Sequence, residues 1–160
     1  FENNELIKKV FGNSIKNNFK SFDLDTKNDN GLLGCSATNN GYEKSFGCTH
    51  KREIYIDKEN NYVKGLDHIF KKKDGYPVRY SFRFHINPEL TVVKTMRGNG
   101  ALIQISKNKS LLFTINNENL ELEKSIFFAE KKILDSTCIT ITGNLVNKNK
   151  SFNWTIKKNI

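Results

Sequence analysis

The side chains with the most chemistry in this sequence sit in two short runs. His50 and Arg52 lie two residues apart within Thr49–Asp57. Arg83 and His85 lie two residues apart within VRYSFRFHINP, Val78–Pro88. In an extended chain, residues two apart share one face. Each run therefore presents an arginine and a histidine together. Arginine grips carboxylates and sulfates through paired, parallel N–H donors. If the two runs are neighbouring strands, His50, Arg52, Arg83 and His85 line one outer surface suited to an anionic glycan. The competing reading is cross-strand pairing with Glu53, Asp67 or Glu89, or a face packed against another domain.

Other chemistry is sparse. His68 completes the three histidines. The cysteines, Cys35, Cys48 and Cys138, are far apart and lack CxxC spacing, so no metal framework is expected. They read as small thiols, buried more often than bridged. There is no G-x-S-x-G, P-loop, HExxH or EF-hand loop, and no defensible Ser/His/Asp arrangement.

The elements that must position these residues are strands. In Val78–Ile86, Val78, Tyr80, Phe82, Phe84 and Ile86 alternate with Arg79, Ser81, Arg83 and His85. The first set is aromatic and β-branched and suits a pleated surface packed on a second layer. Pro88 ends the run, because it has no N–H for a ladder. Thr49–Asp57 and Tyr62–Phe70, joined by Glu59-Asn60-Asn61, read as a hairpin. Further strands are expected at Ile15–Leu24, Leu32–Ala37, Thr91–Met96, Ala101–Ser106, Ser110–Ile115, Leu120–Ala129, Thr137–Gly143 and Lys150–Lys157. Turns fall at Lys27–Gly31, Asn39-Asn40-Gly41 and the Asn/Lys/Gly clusters between later strands. Phe1–Gly12 fits a short helical turn or a strand equally. About ten short strands at regular intervals predict an all-β chain, an antiparallel β-sandwich, over a single domain of residues 1–160.

The formal net charge of +9 favours anionic partners. The lysines are dispersed, which is equally what a solvated surface requires. Nucleic acid is not expected: there is no RNP-type motif or recognition helix, and the aromatics fall on apolar faces. No apolar run approaches membrane-span length. The opening FENNELIKKV lacks the basic end and apolar core of a signal peptide.

Four stretches in order resemble one family. They are Asn40-Gly41-Tyr42 with His50-Lys51-Arg52, then Arg83-Phe84-His85-Ile86-Asn87-Pro88, then Leu120 to Phe128 (LELEKSIFF), then Trp154-Thr155-Ile156. The pattern resembles the C-terminal domain of heparinase II/III-like polysaccharide lyases from about residue 20 onward. Asn87, Leu111 and Phe127 or Phe128 depart from it, where the family often has His, Trp and Tyr.

The resemblance implies a β-sandwich that follows an α/α toroid in a longer chain. It also implies an enzyme that cleaves acidic polysaccharides by β-elimination. The toroid and an acidic polysaccharide are the implied partners, and a periplasmic or secreted setting is the implied compartment. In the family, the catalytic tyrosine and histidine lie mostly in the toroid. A further histidine and the metal ligands lie near HxH and HNT motifs, and neither motif occurs here. No catalytic residue, metal ligand or cofactor is therefore assigned to this chain, which is expected to be incomplete as a catalyst. The other expectation is a non-catalytic carbohydrate-binding or structural sandwich module.

Overall fold

The computed structural model describes residues 22–29, 32–72, 77–129, 132–146 and 149–159. The expectations for Phe1–Gly12 and for the start of Ile15–Leu24 lie outside these residues. Eleven strands and one short helix make up the rest: β1 Phe22–Asp29, β2 Leu32–Asn39, α1 Glu43–Phe46, β3 Cys48–Asp57, β4 Tyr62–Lys71, β5 Val78–His85, β6 Thr91–Lys94, β7 Gly100–Ser106, β8 Lys109–Ile115, β9 Glu121–Ala129, β10 Lys132–Leu145 and β11 Asn149–Asn159.

The strands form an eight-stranded sheet, ordered β1-β2-β3-β4-β11-β8-β7-β6, and a three-stranded sheet, ordered β5-β10-β9. Every pairing is antiparallel. The sheets meet through aromatic side chains. Phe82 of β5 lies edge-on to Phe152 of β11 at 4.8 Å between ring centroids. Phe84 meets Trp154 at 5.1 Å and Phe113 at 4.9 Å. Ile139 and Ile141 of β10 are fully buried against the same layer. The alternation in Val78–Ile86 is thus the alternation of a strand with one face in a sandwich core. The expected all-β sandwich is the observed fold.

The β3–β4 hairpin closes as expected. Asn61 takes a left-handed φ of 53°, and Asn60 N–H donates to Asp57 Oδ1 at 2.8 Å. Three local readings differ. Lys27–Asp29, expected to turn, continue β1 in register with Leu32–Gly34 of β2. The Asn-Gly turn leads into α1, a single helical turn closed by Gly47 at φ 64°. β10 begins at Lys132, five residues before the expected start. Ile133 and Leu134 there are both exposed, so no buried face imposes a period of two on the sequence.

Cys48 and Cys138 are buried free thiols, as expected, whereas Cys35 is an exposed one. Burial raises the Cys48 thiol pKa, partly offset by the charge of Lys71. Among the described residues no helix is long and apolar enough to cross a membrane.

Candidate anion-binding cleft

Asp67 is the organising group. Its neighbours in β4, Leu66 and His68, face the other way, while Val63, Gly65 and Ile69 share its inward face. It is 1% exposed. β3 places Arg52 directly opposite it, and β11 places Trp154 opposite Gly65. Arg52 Nε–H donates to Asp67 Oδ1 at 2.7 Å, and its Nη2–H donates to Oδ2 at 3.1 Å. This is the two-pronged geometry in which an arginine holds a carboxylate best. His50 Nε2 lies 2.7 Å from Oδ1, and Trp154 Nε1–H donates to Oδ2 at 2.8 Å.

Burial alone would raise the Asp67 carboxyl pKa. The bonds from His50, Arg52 and Trp154, with the Arg52 charge, outweigh it and hold the group below the ordinary value. Asp67 is therefore a carboxylate whose lone pairs are taken up by three donors. The Arg52 guanidinium also lies over the Phe84 ring, 5.3 Å from its centroid, and over Trp154 at 6.0 Å.

The four residues expected on one outer surface do not share one. β3 and β5 belong to different sheets. His50 and Arg52 stand on the inner face of the large sheet, with the His50 ring 5.5 Å from that of Phe82. Arg83 and His85 stand on the outer face of the small sheet, on the opposite parity to Phe82 and Phe84. There Arg83 Nη2 pairs with Glu123 Oε2 at 2.9 Å, and His85 Nδ1 lies 2.9 Å from Ser125 Oγ. For His50 and Arg52 the structure has the cross-strand pairing with Asp67. Glu53 faces the other side, where bonds from Tyr55 O–H and Lys51 lower its pKa and His68 stands at 3.6 Å.

Three of the four still meet at one place. A cleft of about 320 Å³ opens between β5, α1 and the first residues of β3. His50, Arg52, Arg79 and Arg83 line it with Tyr42 and Phe46, over a floor that includes Tyr80 and Phe82. His85 is not among its lining residues. Among the described residues no aspartate or glutamate lines it. Its lining combines cationic and apolar side chains.

Arg79 was legible in the sequence, as one more basic residue on the polar face of Val78–Ile86. Tyr42 and Phe46 were not, because nothing in the sequence places a one-turn helix beside β5. Asp67 carried a signal: it shares the parity of Val63 and Ile69. A carboxylate on an apolar face requires a buried partner. Among the described residues no three His, Cys, Asp or Glu side chains converge as a metal-holding group. The HxH and HNT motifs are also absent from the sequence, so no step is assigned to a metal.

The fold matches that of two solved structures, the heparan sulfate lyase HepC from Pedobacter heparinus and a mutant of it. The wild-type enzyme superimposes with a TM-score of 0.73 at 12% identity, covering 86% of this chain and 22% of that one. The mutant gives a TM-score of 0.71 at the same 12% identity and the same coverage. This chain thus spans about a fifth of those proteins. A search of curated protein sequences finds no match. The model of the heparinase II/III-like, C-terminal family matches residues 7–155, so the resemblance read from four short motifs extends over nearly the whole sequence. The chain belongs to the heparinase II/III-like, C-terminal family.

Proposed function

We propose that this chain is the C-terminal β-sandwich portion of a longer polysaccharide lyase. The lyase cleaves uronate-containing polysaccharides by β-elimination, and the sandwich does not catalyse the reaction alone. The observation that carries this is the family match over residues 7–155. The fold agrees with 22% of the chain of a heparan sulfate lyase.

β-Elimination requires three things. A base takes the proton beside the uronate carboxyl, a donor protonates the leaving oxygen, and a fixed positive charge or donor set stabilises the carboxylate as charge develops. This chain supplies groups suited to the third requirement, in the arginine-lined cleft, and none assigned to the first two. His50 is turned to Asp67 through Nε2, which fixes its ring as part of a structural network.

The test is a comparison of two proteins on acidic polysaccharides, read by the ultraviolet absorbance of the unsaturated uronate product. The 160-residue chain alone is expected to give none, and a longer protein that includes an upstream toroid is expected to give product. Product from the 160-residue chain would overturn its incompleteness. No product from the longer protein on any uronate-containing polysaccharide would overturn the lyase reading.

A further inference from the structure

We propose that the cleft beside the outer edge of β5, with which no described strand pairs, binds the acidic groups of a glycan. In it, Arg79 and Arg83 read the charge, and Tyr42 and Phe46 flank the sugar rings. The glycan as ligand rests on the lyase reading above; the site rests on geometry.

The first observation is the outer edge of β5. β5 is the terminal strand of the small sheet. Ile86 N–H donates to Thr137 O at 2.9 Å, and His85 stands opposite Cys138 in register. Backbone bonding alternates along an antiparallel pair. Val78, Tyr80, Phe82 and Phe84 therefore turn their N–H and C=O groups to β10. Arg79, Ser81 and Arg83 turn theirs away from it, and among the described residues no strand pairs with that edge. The same three residues line the cleft. The cleft thus has backbone donors along one side as well as side-chain cations.

The second observation is charge. Arg52 is answered by Asp67. Arg79 makes no ion pair among the described residues. Among the described residues Arg83 pairs only with Glu123, with the two side chains 46% and 40% exposed. Exposed pairs of this kind hold weakly and exchange readily for another oxyanion. A carboxylate or sulfate entering the cleft meets the Arg79 and Arg83 guanidinium groups, with Arg52 held by Asp67, and among the described residues no lining carboxylate.

The third observation is apolar surface. Tyr42 is 51% exposed and Phe46 is 55% exposed, both at the cleft wall. Exposed aromatic rings beside a cationic groove suit the C–H faces of sugar rings, with the acidic substituents directed to the arginines. At about 320 Å³ the cleft is at the small end of ligand sites. It holds a short part of a glycan whose chain runs on past it.

A peptide strand adding to the β5 edge is the other occupant of such geometry. Its backbone pairing does not depend on the two arginine side chains. The test is an NMR titration of the 160-residue chain with a heparan sulfate tetrasaccharide, an alginate tetrasaccharide and the uncharged cellotetraose. We expect amide shifts at Arg79, Ser81 and Arg83 and ring shifts at Tyr42 and Phe46 with at least one acidic probe, and none with cellotetraose. The double variant R79A/R83A weakens that binding by about tenfold or more, while K157A, on β11, leaves it unchanged. Equal melting temperatures for the variants and the parent keep folding out of the comparison.

Three results overturn the proposal: no cleft shift with either acidic probe, equal binding of cellotetraose, or R79A/R83A binding as tightly as the parent. Edge-amide shifts with an extended peptide, and none with either acidic probe, give the edge to a peptide strand and overturn it too. Failure here is separable from failure of the lyase reading. A longer protein that makes unsaturated product with an unchanged KM in R79A/R83A keeps the lyase and loses this site. Cleft binding without product from the longer protein does the reverse.

Discussion

Trp154 lies across Gly65, its partner in the β11–β4 ladder, and its indole N–H reaches the carboxylate of Asp67 at 2.8 Å. A Cβ added at Gly65 would collide with the indole ring. The missing side chain on β4 is what lets the ring lie flat enough to bond two residues further along the same strand. Gly65→Ala is therefore expected to push the indole off Asp67 and lower stability by about 2–4 kcal/mol, from overpacking and a lost buried bond. Urea denaturation followed by Trp154 fluorescence reads it. An unchanged midpoint would contradict the packing described.

The two arginines that look equivalent in sequence differ in what they hold. Arg52 neutralises a carboxylate that is 1% exposed, and its own side chain is 32% exposed. Arg52→Ala is expected to cost about 2–3 kcal/mol, below the range for a fully buried pair because the guanidinium is partly solvated. Arg83 and Glu123 are both exposed, so Arg83→Ala is expected to cost about 0–1 kcal/mol. Equal losses in denaturant titrations would contradict the assignment of Arg52 to the inner face and Arg83 to the outer.

Acid should act through Asp67. Its folded pKa lies below the unfolded one because the bonds from His50, Arg52 and Trp154 outweigh burial. A carboxylate of this kind contributes fully above the unfolded value of about 3.9, and the contribution disappears as pH falls through the folded value. The melting temperature of the parent should exceed that of Asp67→Asn at neutral pH. The gap should narrow as pH drops below about 4. A gap constant down to pH 3 would contradict the network as the source of the difference.

Much of the fold is legible in the sequence because one physical rule dominates it. A strand with one buried face must alternate, and Val78–Ile86 does so without exception. The same rule finds β3, β4, β7, β8 and β11 within a residue or two at each end. It fails where no face is buried, as at Ile133 and Leu134, and where a polar segment extends an edge pair, as at Lys27–Asp29. It also cannot say which sheet a strand joins. His50, Arg52, Arg83 and His85 have the same spacing in sequence, yet one pair points into the sandwich and the other out of it. What settles this is long-range: Phe82 packing on Phe152, and Asp67 arriving from β4 opposite Arg52. The cleft is legible only in part. Its arginines stand in the alternating runs, while its aromatic wall depends on a single helical turn after Asn40-Gly41 that the turn signal does not reveal.

The measurement that bears most directly on the function is ultraviolet detection of unsaturated uronate, made with the 160-residue chain and with a longer protein containing it. Product from the longer protein and none from the 160-residue chain is the expected result. Silence from the longer protein across uronate-containing polysaccharides would contradict the assignment of this sandwich to a lyase.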